Sequence, residues 1–267
     1  MALQKIRAKK SLGQNFLTDH TVIERIVEYS GTNKETDVLE IGPGLGAVTG
    51  HLIDRARTLT AIEIDTRLYD ELIRRFNAKQ NFKIINDDFL NIDIKSVVTD
   101  NIIVVANLPY YITTPIITRL IETDCGIKSM TVMVQLEVAK RICADESSRD
   151  YGALSVLCNY HCDTELLFVV PPESFDPVPK VHSAVVKLTF LEEKKVKPLN
   201  EKKFFTVVKA AFSNRRKTLA NCLMNSFSLN REEVNAILEK CGIDLMARGE
   251  TLSLEKFKKL SDFMSNL

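Results

Sequence analysis

Between residues 37 and 134, short apolar runs alternate with stretches of helical period, and few folds accept that order. Strand-like runs at 37–42, 59–64, 82–85, 102–106 and 130–134 are separated by segments such as 68–76 and 115–121, whose apolar residues recur every three or four positions. Such alternation predicts an α/β fold, a Rossmann-like doubly wound parallel sheet with helices on both faces. Ahead of it, Thr18 or Asp19 is placed to cap a helix whose apolar face is Val22, Ile23, Ile26 and Val27, with Gly31 to end it. Behind it, runs at 166–170 and 181–190 lie too close together for a parallel crossover, so an antiparallel pair should close the sheet.

Past residue 190 the pattern changes. A charged segment, 191–203, reads as a linker, and helical stripes follow: Phe204, Val207, Val208 and Ala211; Val234, Ile237 and Leu238 behind an Asn230/Glu233 capping box; Leu254, Phe257, Leu260 and Phe263. Two domains are therefore expected, 1–192 built on the sheet and 193–267 all-helical, which suits 267 residues. With 45% hydrophobic and 27% charged residues the chain is not a disordered one, and no apolar run approaches the roughly 18 to 20 residues of a membrane span. Six scattered cysteines and the lack of a visible signal peptide predict a cytoplasmic protein. The net charge of +1 hides two basic regions: Lys5, Arg7, Lys9 and Lys10 without an acid, and eleven bases against three acids between Lys180 and Lys217. That distribution suits a polyanion partner.

Three glycines, Gly42, Gly44 and Gly46, follow the first strand of the alternation, where an open parallel sheet binds ligands. Glu63, at the end of the next strand, is placed to accept hydrogen bonds from both hydroxyls of a ribose, and Asp88, after the third, to accept from an adenine amine. Gly42, Gly44 and Ala47 also satisfy the looser dinucleotide fingerprint, so NAD and S-adenosyl-L-methionine both remain compatible with this part of the chain. The fourth strand ends in Asn107, Leu108, Pro109 and Tyr110, which is a poor constellation for hydride transfer. It suits methylation of a planar nitrogen: the Asn107 amide oxygen and the Leu108 carbonyl, stiffened by Pro109, each accept one hydrogen of an adenine N6. Tyr110 supplies a face for the purine. No histidine lies in these turns, so no ionisation near neutral pH is expected in the rate. Cys158, His161 and Cys162 match no zinc spacing, and no metal is expected.

With these residues in this order, the chain resembles the RNA adenine N6-dimethyltransferases. Lys10, Gly13, Gln14, Asn15, Phe16 and Leu17 are similar to that family's amino-terminal signature, the segment 171–177 to one whose phenylalanine, here Phe175, packs on the target adenine opposite the tyrosine, and 211–217 to the basic opening of its helical domain. The resemblance implies S-adenosyl-L-methionine as cofactor, with Asn15 and Leu17 against its methionine part and Gly42, Gly44, Glu63, Asp88 and Asn107 around the rest. It implies that Lys9, Lys10, Lys180, Arg215, Arg216 and Lys217 hold RNA phosphates. Leu108 and the segment 177–186 are closer to the small-subunit branch. That branch implies N6,N6-dimethylation of two adjacent adenosines in the 3′-terminal hairpin loop of 16S rRNA within an assembling 30S subunit, by a monomer with no membrane contact. Tyr111 departs from the family, where many members have a smaller polar residue, and is read as a pocket wall. The alternatives are a large-subunit rRNA methyltransferase of the erythromycin-resistance type and a non-catalytic ribosome-assembly factor.

Overall fold

The computed structural model describes residues 6–98, 100–123 and 125–265; Lys5, one of the basic residues singled out above, lies outside them. The chain divides into two compact units, Met1–Ala139 with Thr164–Phe190, and Lys140–Asp163 with Leu191–Leu267.

The first unit begins with β1 (Phe16–Leu17) and α1 (His20–Ser30). Of the two possible caps, it is Asp19 that accepts from the main-chain N–H groups of Thr21 and Val22, and Gly31, left-handed at φ 74°, ends the helix. The alternation then runs β2 (Asp37–Ile41), α2 (Ala47–Arg55), β3 (Thr58–Glu63), α3 (Thr66–Phe76), β4 (Phe82–Asn86), β5 (Ile102–Asn107), α4 (Thr113–Glu122), β6 (Ile127–Gln135) and α5 (Leu136–Ile142). After α6 (Ala153–His161) come β7 (Cys162–Val170), β8 (Phe175–Asp176) and β9 (Ser183–Phe190). Every residue of β2 is buried, the signature of a strand covered on both faces.

The seven-stranded sheet has the order β4-β3-β2-β5-β6-β9-β7. β2 through β6 pair in parallel, and β9 runs antiparallel to β6 with Met133 opposite Val185. The chain moves outward from β2 through β3 to β4, then returns to the other side of β2 as β5. The topological switch therefore falls between β2 and β5, and crevices open at such points beyond the carboxyl ends of the strands. A second, two-stranded ribbon pairs β1 with β8, placing Leu17 opposite Phe175.

The second unit contains α7 (Glu201–Ala211), α8 (Leu219–Phe227), α9 (Arg231–Cys241) and α10 (Leu254–Ser265). The Asn230/Glu233 capping box forms as read: the Asn230 side chain accepts from Glu233 N and the Glu233 carboxylate from Asn230 N. An uninterrupted first domain ending at 192 is not what the contacts give. Tyr151, Val156 and Tyr160, all almost fully buried, sit in one core with Phe204, Val207 and Phe257, so α6 and the loop before it build the helical unit. Cys158 is on α6, whereas Cys162 opens β7.

Candidate active site at the carboxyl edge of the sheet

Helix α2 starts directly from the glycine turn. Gly44 and Gly46 hold φ of 60° and 79°, a region that side chains rarely adopt, and a Cβ on Gly46 would lie 2.7 Å from Leu72. The Gly44 N–H donates to Glu63 Oε2 at 3.2 Å, while Oε1 accepts from Asp65 N at 2.9 Å. Glu63 thus ties the turn after β2 to the turn after β3. Its carboxyl is buried, and that burial raises its pKa.

The cleft is walled by the ends of β2, β3 and β5, and Gly42, Gly44, Glu63, Asp88 and Asn107 all line it. Asp88 accepts from Leu90 N at 2.9 Å, which fixes its carboxylate at the loop after β4. Arg119 on α4 donates to the carbonyls of Leu90 and Ile92, holding that loop from the other side. Asp87 joins Glu40, Glu63 and Asp88 in the lining, and among the described residues no lysine, arginine or histidine does. A cationic ligand is favoured there. A dinucleotide pyrophosphate would meet Glu63, Asp87 and Asp88 with no counter-charge in the lining, which disfavours it.

Glu40, on β2, is 3% exposed, and its Oε2 has no hydrogen-bond partner. Burial first, and the charge of Glu63 second, push its carboxyl up to about 8. A group that titrates near neutrality therefore lines the cleft although no histidine does. Because the folded state holds this proton more tightly than the unfolded chain, its contribution is fully present below about pH 4.5 and is lost as pH rises to about 8. Glu40→Gln should abolish that decline, which runs at about 1.4 kcal/mol per pH unit. Chemical denaturation of parent and variant at pH 5 and pH 8 measures it; equal pH dependence in the two would remove Glu40 as the cause.

The turn after β5 is built for rigidity. Leu108 is buried and its N–H donates to Met133 O at 3.1 Å, and the Pro109 carbonyl accepts from Thr113 Oγ1 at 3.0 Å and from Ile112 N at 3.2 Å. Tyr110 is half-buried, its hydroxyl 2.8 Å from Ser183 Oγ on β9. Burial raises its pKa, so the ring is presented by a neutral phenol. Tyr111 is 57% exposed at the rim of the same cleft.

Asn15, Leu17 and Phe175 also line the cleft. Asn15 donates to Gly13 O at 3.3 Å; Leu17 and Phe175 are buried partners in the β1–β8 ribbon. Phe175 is only 3% exposed, packed into the core of the unit, while Tyr110 across the cleft is more open.

The expected phosphate contacts divide. Lys10, Lys180, Arg216 and Lys217 are exposed. Lys9 is committed to Asp65, with Nζ 3.1 Å from Oδ1, and Arg215 donates to the carbonyls of Arg149 at 2.6 Å and Tyr151 at 3.2 Å. Lys9 and Arg215 are exposed as well, but each also bonds its own chain. Asp65 was not singled out from the sequence; the signal was there, an acid two residues past Glu63 and immediately before a helical stripe, where a cap belongs. Among the described residues no cluster of three or more His, Cys, Asp or Glu side chains could hold a metal, and no helix is long and apolar enough to cross a membrane.

A parallel sheet opening at its switch point on a glycine turn, two strand-end acids and an Asn-Leu-Pro-Tyr turn defines a class I methyltransferase fold. The family model for ribosomal RNA adenine dimethylase matches residues 5–264. The chain is 46% identical over 260 residues to the ribosomal RNA small subunit methyltransferase A of Clostridium botulinum (strain Kyoto / Type A2), covering 97% of this chain and 94% of that one. With the Clostridium acetobutylicum protein of the same name it shares 45% identity over 258 residues, 96% and 93% of the two chains. Among solved structures, a dimethyladenosine transferase from Plasmodium falciparum superimposes with a TM-score of 0.79 at 25% identity, over 92% of this chain and 95% of that one. The 23S rRNA methyltransferase ErmE gives 0.72 at 29% identity, over 94% and 100%. The chain belongs to the ribosomal RNA adenine dimethylase family.

Proposed function

We propose that this protein transfers methyl groups from S-adenosyl-L-methionine to N6 of two adjacent adenosines in the 3′-terminal hairpin loop of small-subunit (16S) rRNA, within the assembling 30S subunit. The observation that carries the reading is the Asn107–Tyr110 turn opening on the same acidic cleft as Gly44, Glu63 and Asp88. The donor suits that cleft, since its sulfonium and ammonium outweigh its one carboxylate and the lining carries Glu63, Asp87 and Asp88 with no basic side chain among the described residues. Glu63 would hold the ribose hydroxyls, Asp88 the adenine amine, the Gly42–Gly44 backbone the body of the molecule, and Asn15 and Leu17 its methionine end. When bound, S-adenosyl-L-methionine would supply an electrophilic methyl group: N6 would gain it through its lone pair, the sulfur would keep the C–S electron pair as the neutral thioether of S-adenosylhomocysteine, and the extra N6 proton would pass to water.

The chain itself works on the adenine. The Asn107 amide oxygen and the Leu108 carbonyl accept the two N6 hydrogens, which turns the nitrogen lone pair out of conjugation and stabilises the positive charge that develops on it. The Leu108–Met133 and Pro109–Thr113 hydrogen bonds fix those acceptors before substrate arrives. Tyr110, steadied by Ser183, and Phe175 hold the two faces of the purine. An N6 inside a stacked helix is out of reach, so the target nucleotide must be flipped out or already unstacked.

Exposed Lys10, Lys180, Arg216 and Lys217 suit phosphates of the surrounding rRNA. Arg216→Glu with Lys217→Glu should weaken binding to unmethylated small subunits at least tenfold and flatten the salt dependence, as filter binding at two ionic strengths would report; tight binding by the variant would remove these residues from the interface. Arg215 is left intact because it holds the 149–151 backbone. The mostly buried cysteines suit the reducing cytoplasm, and the cleft residues named above all come from one chain, as a monomer requires.

The identity to the clostridial small-subunit relatives favours that substrate over the large-subunit rRNA named for ErmE. Labelled S-adenosyl-L-methionine incubated with the protein and unmethylated small subunits, large subunits, naked rRNA or DNA decides it. Label mapping to two neighbouring adenosines of small subunits is the expected result; label on large subunits, or none, overturns it.

A further inference from the structure

Residues 9–18 form a strap that carries much of the cleft wall: Leu12 to Leu17 all line the cleft. The strap is held at both ends. At its carboxyl end β1 pairs with β8, Thr18 N and Oγ1 both donate to Ser174 O, at 2.9 and 3.1 Å, and Ser174 Oγ donates to Asp19 Oδ2 at 3.0 Å. At its amino end two side chains converge on Asp65. Lys9 Nζ donates to Asp65 Oδ1 at 3.1 Å, and Gln14 Nε2 to Oδ2 at 3.0 Å. The strap is further folded on itself by Lys9 N donating to Gln14 Oε1 at 2.8 Å.

Asp65 is 2% exposed and fully partnered. Arg67 donates to it through Nε at 3.0 Å and through Nη2 at 2.6 Å, and these bonds hold its carboxyl well below the usual carboxylate range. It also caps α3, and its own main-chain N–H donates to Glu63 Oε1. One residue therefore bonds the strap through its side chain and the candidate ribose acceptor through its backbone. A carboxylate buried this deeply costs free energy unless its partners are in place, so the strap and the end of β3 are favoured in one mutual arrangement.

We propose that Asp65 is a positioning residue for the methyl donor, anchoring the amino-terminal strap through Lys9 and Gln14 so that Asn15 and Leu17 form the donor's wall while Glu63 is held from the opposite side. Lys9 thereby serves the donor site. This rests on the donor assignment above.

Donor affinity is read by titration calorimetry of the full chain with S-adenosyl-L-methionine and with S-adenosylhomocysteine. Two variants are compared with the parent: Asp65→Asn, which keeps a capping side chain for α3, and Lys9→Met with Gln14→Ala, which leaves Asp65 and the cap untouched. Both should raise the donor Kd about tenfold and speed hydrogen exchange of the amides at 9–17, with single-turnover methyl transfer at saturating donor within about twofold of the parent. Lys9→Arg, which preserves the ion pair, should keep the parent's Kd. Donor binding as tight as the parent's in both variants, strap amides that exchange at the parent's rate, or a loss of the saturated rate matching the loss of affinity would each overturn the role of Asp65. A parent that bound no donor would instead overturn the function proposed above, and this role with it.

Discussion

Asn107→Ala should lower single-turnover methyl transfer on the order of 10²- to 10³-fold while subunit binding is nearly unchanged. An acceptor aimed at charge that develops only as N6 is alkylated is worth about 3 to 4 kcal/mol in the transition state and little in the ground state. The turn around it should survive the truncation, because the bonds that fix it run through the main chain of Leu108 and Pro109 to Met133, Ile112 and Thr113, not through the amide. Rapid-quench measurements at saturating donor and subunit give the rate, and filter binding gives the affinity. Methyl transfer at the parent's rate would take the catalytic role away from Asn107; equal losses in rate and binding would make it a residue of the RNA interface.

Glu63→Gln should act on the other side of the cleft. Removing one charged acceptor from a ribose costs about 1.5 to 3 kcal/mol, so donor Kd should rise on the order of 10- to 100-fold. The amide also turns a second donor toward either Gly44 N–H or Asp65 N–H, both of which now point at the carboxylate. The saturated rate should change far less than the affinity, since the ribose is remote from the bond being made. Calorimetry with S-adenosylhomocysteine checks the first expectation and single-turnover kinetics the second. Parent-like donor affinity would mean that Glu63 only staples two turns together.

The centre of the sheet was legible because β2, β5 and β6, buried almost throughout, leave continuous apolar runs, and the crossover helices leave their own period; β4, at the edge and partly exposed, was legible only as a short apolar run. The glycine turn and Asn107–Tyr110 were legible because their residue types are rare choices at strand ends. Three features were not. The β1–β8 ribbon is two residues long in each strand and has no periodicity to show. The convergence of Lys9, Gln14 and Arg67 on Asp65 joins positions up to 56 apart, so Lys9 read as one more base in a basic stretch. Glu40 looked like any acid before a glycine; only its position on a fully buried strand makes it a proton holder near neutral pH.

The helical unit is assembled from two separated stretches of chain, with Tyr151, Val156 and Tyr160 inserted among Phe204, Val207 and Phe257. A graft that exchanged everything after residue 192 for the equivalent part of a relative would leave those three large side chains facing a foreign lining. In this chain the piece that could be exchanged with its core intact is therefore discontinuous, the 140–163 insert together with the tail.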